Sequence, residues 1–329
     1  MPTLKTTDTK PIISNADASL IDIGDGIVRL ELHSKLNIIA DEMLEMFDTA
    51  LDEVETNYAG MVIATEAKHF SVGLNLILLL ERAKSQNWDA ISGTLRKLQT
   101  VCTRLRTISK PVVAATTGMA LGGGCEFALG ADAVQAYTES NLGLVELQVG
   151  LIPGGGGTKE MARRCLEEQT LPAPIQHLFP SVNKAFDTIR ESTVSQNATE
   201  AVELGYLRQM DGISADQNTH IEDAKQRVLS MHKAGYNPPE PQQIFVLGEE
   251  GIARLNLQTH LLRQADTIDD YTQDLTNKLA YVLCGGKLSA PQFVTEQYLL
   301  DLEHEVFLGL CGEQQTHARI EATLQRGKK

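Results

Sequence analysis

An α/β fold followed by an all-helical C-terminal region is what the sequence predicts. Three observations carry the prediction. Short apolar strand runs alternate with amphipathic helical stretches, glycine-rich turns stand at the junctions, and a proline cluster at Asn237-Pro-Pro-Glu-Pro precedes a region of helical periodicity.

Residues 1–16 are polar and without a period, so a flexible lead-in is expected there. From about Ala18, SLIDIGDGIVRLEL carries two alternating apolar runs around Gly24-Asp25-Gly26, which reads as a β-hairpin. Asp25 and Gly26 are turn chemistry there. Met43, Leu44, Phe47, Leu51 and Val54 recur at helical spacing, predicting a helix over 40–58 with a solvated acidic face. Gly60-Met-Val-Ile-Ala-Thr and Pro111-Val-Val-Ala-Ala-Thr read as buried strands on either side of one long helical stretch, 77–108. A further strand is expected at Ala133–Tyr137 and a helix from Thr158 to Cys165. Pro172, Pro174 and Pro180 suggest an inserted surface segment over about 165–183. Helical periodicity resumes over Asn183–Leu207 and Thr219–Ala234, and beyond residue 250 the chain reads as wholly helical. The expected organisation is a lead-in (1–16), a main domain (17–236) and a helical extension (237–329).

The 329 residues carry a net charge of -14, which disfavours nucleic acid and anionic membrane surfaces as partners because the summed field repels polyanions. Five widely spaced cysteines, with no CxxC and no Cys/His cluster, suggest neither disulfides nor a metal site. The first twenty residues lack the apolar stretch of a signal peptide, and the run Leu76–Leu80 is too short to span a bilayer. The expectation is a cytoplasmic protein.

The segment 110–157 holds the chemistry. A strand runs into Gly122-Gly-Gly and at once into a helix of small and apolar residues. Glycines admit close backbone approach, and the free N–H groups of a helix start point at whatever oxygen lies there. Taken alone, three glycines fit tight helix packing equally well. Glu126 in the first turn of that helix and Glu146, twenty residues on before Pro153-Gly-Gly-Gly-Gly, favour a reactive site. Two carboxylates in apolar surroundings suit general acid/base work, since desolvation and mutual repulsion separate their proton affinities.

These residues resemble the signature of the crotonase (enoyl-CoA hydratase/isomerase) family: a glutamate after the GGG turn, a second twenty residues later, and an IPGxGG turn. Phe70-Ser71-Val72-Gly73-Leu74-Asn75 is similar to that family's Phe-(Ala/Ser)-x-Gly-x-Asp turn, and Ser34-Lys35-Leu36-Asn37 to its Lys-x-Asn entry motif. The likeness covers about residues 18–235 and implies a ββα spiral core. It implies Glu126 and Glu146 as catalytic acids, and the Leu74 and Gly123 amides as an oxyanion hole. Ser71, Val72, Gly73 and Gly122 would be substrate-binding backbone, with an acyl-CoA thioester as substrate and no metal or redox cofactor. The implied reaction is hydration of a 2-enoyl-CoA in β-oxidation. A Δ3,Δ2-enoyl-CoA isomerase or a non-catalytic acyl-CoA-binding scaffold are the alternatives, and the pair of glutamates argues against the isomerase. Asn75 departs from the usual aspartate. The tail resembles the hydratase portion of fused bacterial dehydrogenase/hydratase proteins, which implies a 3-hydroxyacyl-CoA dehydrogenase as partner or fused domain. The family also implies a homotrimer or hexamer.

His69 reads as a packed loop residue, Cys125 as packing, and Lys68 and Arg163 as candidate partners of CoA phosphates. His304-Glu305 is no HExxH motif, since Leu308 stands where the second histidine would be. The stripe Leu299, Leu300, Leu302, Val306, Phe307 and Leu310 must be buried, and is expected to pack on the main domain.

Overall fold

A computed structural model describes residues 10–326. The chain groups into two compact units: the stretch up to Leu74 with Thr100–Leu142 and Val194–Glu240, and Asn75–Gln99 with Gly143–Thr193 and the segment from Pro241.

In the first unit, strands β1 (Ile13–Ser14), β2 (Ala18–Asp22), β3 (Ile27–Leu32), β4 (Gly60–Ala64), β5 (Val112–Thr116), β7 (Ala133–Tyr137) and β9 (Gly212–Ser214) form one sheet in that order. The first three pair antiparallel and the rest parallel. β2 and β3 make the expected hairpin, with Asp25 at φ 61° in the turn and Ile23 N–H bonded to Ile27 O at 3.0 Å. β4 and β5 are buried on both faces, as parallel strands between helical layers must be, and therefore read as unbroken apolar runs. β6 (Met119–Leu121) and β8 (Asn141–Gly143) form a separate ribbon.

Helix α1 (Asp41–Asn57) buries the predicted stripe. Its Phe47 stacks on Phe127 of α4 (Gly123–Gly130), with ring centroids 4.4 Å apart. A short helix α7 (Ala198–Glu203) follows, and α8 (His220–Lys233) lays Ala224, Val228 and Leu229 on a core of Ile27, Val62, Val113 and Ala133. Each of the valine, leucine and isoleucine side chains there contributes about 1.5–3 kcal/mol when fully buried. A methyl group on Gly60 would lie 2.4 Å from Val228 Cγ1, so this strand start must be glycine for the helix to seat.

The second unit is mainly helical: α2 (Leu76–Lys84), α5 (Gly157–Arg164), α6 (Ile175–Arg190), α9 (Gly248–Gln264), α10 (Asp270–Leu283), α11 (Glu296–Cys311) and α12 (Gln314–Arg326). Strands β10 (Gln243–Val246) and β11 (Gln292–Thr295) pair antiparallel within it. Helix α3 (Trp88–Thr107) runs through the division at Gln99. Among the described residues no helix is long and apolar enough to cross a membrane.

Four expectations need correction. Residues 1–9 of the expected lead-in lie outside the described residues, but Ile13–Ser14 is a strand and Ile12 N–H donates to Leu20 O at 2.8 Å; two residues are too few to register a period. The single helix over 77–108 is two, because Gln86 takes φ 56° while the apolar spacing continues across the break. The segment 165–183 is partly helical, since α6 begins at Ile175 and carries Pro180 inside it at the loss of one backbone hydrogen bond. Beyond residue 250 the chain is not wholly helical, since β11 interrupts it; its residues are largely exposed, so no alternating pattern marks them.

Each of the two compact units is discontinuous in sequence. The tail packs within the second unit: Leu299, Leu300, Leu302, Phe307 and Leu310 are buried, and Phe307 lies against Gly154.

Candidate active site

Within the first unit, the Ser71–Leu74 turn and the start of α4 press together. A methyl group on Gly73 would lie 3.0 Å from Leu121 O and 3.2 Å from Gly123 N, and one on Gly123 would lie 3.8 Å from Leu74 N. The backbone conformation makes this approach possible, with Gly73 at φ 92° and Gly122, the N-cap of α4, at φ 54° and ψ -126°. Gly124 has no room for a side chain, as a methyl there would meet Ser71 Cβ at 2.6 Å. The glycine run therefore serves packing and backbone approach together. The first N–H groups of a helix have no acceptor inside it, and the bond from Glu126 N–H to Gly122 O at 3.0 Å is the first rung of the ladder. The Leu74 and Gly123 amides thus lie near one another at the start of α4.

Glu126 is buried one turn into α4, with 2% of its surface exposed. Glu146 lies in the second unit, at the start of a 3₁₀ turn, Glu146–Val149, that ends on Gly150 at φ 79°. It is 9% exposed, and its carbonyl accepts Leu151 N–H at 3.0 Å. Ser71, Val72, Gly73, Leu74, Gly122, Gly123 and Glu126 therefore belong to one unit and Glu146 to the other.

The Ser71 hydroxyl is engaged in holding its own turn. It donates to Asn37 O at 2.7 Å and accepts Gly73 N–H at 3.2 Å, while Ser71 N–H and O bond Met119 and Leu121. Asn37, buried and at φ 49°, donates through Nδ2 to Thr65 Oγ1 and to His69 O, both at 3.0 Å. The Lys-x-Asn motif thus braces the amide turn from behind. Thr65, which passes the bond on to Leu32 O at 2.7 Å, carried no signal in sequence because a lone threonine after a strand is unremarkable.

His69 Nδ1 accepts Met119 N–H at 3.1 Å, and burial, with Lys68 beside it, lowers the pKa of the imidazole below its usual value. It is a structural tie, as expected of a packed loop residue. Cys125 is buried, as the packing reading requires. Lys68 is exposed. Arg163, in contrast, is 9% exposed and bonds Glu160 Oε2 at 3.0 Å and Glu167 Oε1 at 3.2 Å, so its guanidinium is already held by carboxylates and does not face solvent as a phosphate partner would.

This sheet, with its amide pair at the start of a glycine-led helix, defines a class of protein. Residues 22–169 match the family described as enoyl-CoA hydratase/isomerase, the crotonase family. Over 322 residues the chain is 40% identical to a Bacillus subtilis protein named probable 3-hydroxyacyl-CoA dehydrogenase, covering 98% of this chain and 40% of that protein. It is 26% identical over 318 residues to a Rickettsia felis protein named putative fatty acid oxidation complex trifunctional enzyme, covering 97% and 40%. The chain spans about two fifths of the length of these relatives. Its fold matches the crystal structure of enoyl-CoA hydratase from Bacillus halodurans with a TM-score of 0.60 at 18% identity, over 93% of this chain and 99% of that one.

Proposed function

We propose that this chain hydrates 2-enoyl-CoA thioesters, with Glu126 and Glu146 as the acid/base pair and the Leu74 and Gly123 amides as the oxyanion hole. The observation that carries the reading is the close approach of Gly73 to Gly123 N, with a buried Glu126 three residues along the same helix. Water oxygen adds to the β-carbon as one carboxylate takes its proton. The π electrons move toward the thioester oxygen, where two fixed N–H donors stabilise the charge without reorganising. The other glutamic acid protonates the α-carbon, and the product is a 3-hydroxyacyl-CoA. Atoms balance with water alone, so the step calls for no cofactor.

Glu126→Gln and Glu146→Gln should each lower hydration of crotonyl-CoA, followed by loss of the conjugated thioester absorbance, by at least roughly 10²-fold. Their penalties should not add in the double variant, because groups serving one transition state act as a unit. Near-normal hydration by Glu126→Gln would sink the assignment. So would a wild-type protein that shifts a 3-enoyl-CoA double bond much faster than it hydrates a 2-enoyl-CoA.

A 3-hydroxyacyl-CoA dehydrogenase, fused or separate, is the proposed partner. The name of the 40% identical relative supports it, since such an enzyme would consume this product. A cytoplasmic location and a homotrimer or hexamer complete the proposal.

A further inference from the structure

The turn that carries Glu146 is held from outside by residues far along the chain. Thr316 Oγ1 donates to Gly150 O at 2.9 Å, and the Tyr271 hydroxyl, 3.3 Å from that carbonyl and 2.5 Å from Thr316 Oγ1, can donate to either. Arg319 Nη1 donates to Leu147 O at 3.3 Å, its guanidinium lies 4.8 Å from the centre of the Tyr271 ring, and its Nη2 bonds Thr272 Oγ1 at 2.6 Å. Thr316 is fully buried, and a methyl group on Gly150 would come within 2.9 Å of Thr316 Cα. All three residues belong to the same unit as Glu146 and lie outside the 22–169 stretch that matches the family.

A four-residue 3₁₀ turn has poor internal hydrogen-bond geometry and little stability of its own. Here the carbonyls of Leu147 and Gly150 are taken by α10 and α12, and the carbonyl of Glu146 by Leu151. We propose that Tyr271, Thr316 and Arg319 are positioning residues for Glu146, which makes the C-terminal helices part of the catalytic apparatus without their touching substrate. The inference rests on the hydratase reading of Glu146. It follows from how steeply rate depends on placement: about 1 Å of displacement of a reacting group costs on the order of 10²-fold.

Thr316→Val keeps the volume and removes the donor, and Thr316→Ser restores it. Thr316→Val should lower kcat for crotonyl-CoA hydration at least about tenfold with KM changed less than about threefold, and Thr316→Ser should recover most of the loss. In a Glu146→Gln background the same substitution should change kcat by less than about twofold, because the group being positioned is already gone. A merely structural lesion would instead multiply through. Amide exchange at 146–151 should quicken in Thr316→Val while that at 71–75 stays unchanged. Wild-type kcat in Glu146→Gln overturns the hydratase reading and this inference together. Lost activity in Glu146→Gln with wild-type kcat in Thr316→Val overturns the inference alone, as does an equal loss in both backgrounds.

Discussion

At Asn75 the family's usual aspartate has become its amide, and the side chain caps α2 by accepting Leu78 N–H at 3.1 Å. An amide oxygen caps a helix about as well as a carboxylate does. Asn75→Ala should lower stability by about 1 kcal/mol and Asn75→Asp should leave it nearly unchanged. Urea unfolding of the two variants measures this, and equal losses would show that the cap is not what the position supplies. His69 makes a related point. Its place beside the amide turn is attractive for catalysis, but Nδ1 already accepts from Met119, and that bond ties residue 69 to the ribbon leading into α4.

Among the elements, α11 joins parts of the second unit that are distant in the chain. Phe307, 2% exposed, fills the space beside Gly154, where a methyl group would come within 2.6 Å of its ring. Glu303, wholly buried, accepts Gly156 N–H at 2.8 Å and Lys159 N–H at 2.5 Å, closing the start of α5 in the manner of a capping residue supplied from another helix. Lys159 in turn bonds Glu160 at 2.5 Å and Glu296 at 3.0 Å, so the buried charges are paired. Phe307→Ala should cost about 3–5 kcal/mol through lost burial and the cavity left behind. Thermal unfolding would report it, and a loss under about 1 kcal/mol would mean that α11 only covers the surface.

For the molecule as a whole, Asp132 should set part of the pH dependence of stability. It accepts Val112 N–H at 2.8 Å and Tyr236 O–H at 2.7 Å, yet burial outweighs both bonds and pushes its carboxyl up from 3.8 to about 7. The folded state therefore holds a proton that the unfolded chain releases near pH 4. This contribution is fully present below the unfolded pKa and is lost as pH rises through about 7. Melting temperature should fall between about pH 4 and pH 7 from this group, and Asp132→Asn should flatten that slope. A slope of the same size in Asp132→Asn would assign the effect to other groups.

The sequence by itself determined the alternation of strands and helices, the Asp-Gly hairpin, the GGG helix start and the buried stripe of α11. Each of these is set by neighbours within a few residues, through periodicity, turn chemistry or a run of small side chains. The strands that were missed, β1, β8, β9, β10 and β11, are two to four residues long, too short to show an alternating pattern, and all but β1 pair with a strand remote in sequence. The break at Gln86 was hidden because apolar spacing carries across a single left-handed residue. Only the tertiary structure decided that Asn37 and Thr65 brace the amide turn, that Arg163 is held by Glu160, and that Tyr271, Thr316 and Arg319 grip the turn of Glu146. Thr316 and Gly150 stand 166 positions apart, and a hydrogen bond between them leaves no mark on the local pattern of either segment, because its energy depends on the approach of two backbones and not on what lies next to each in the chain.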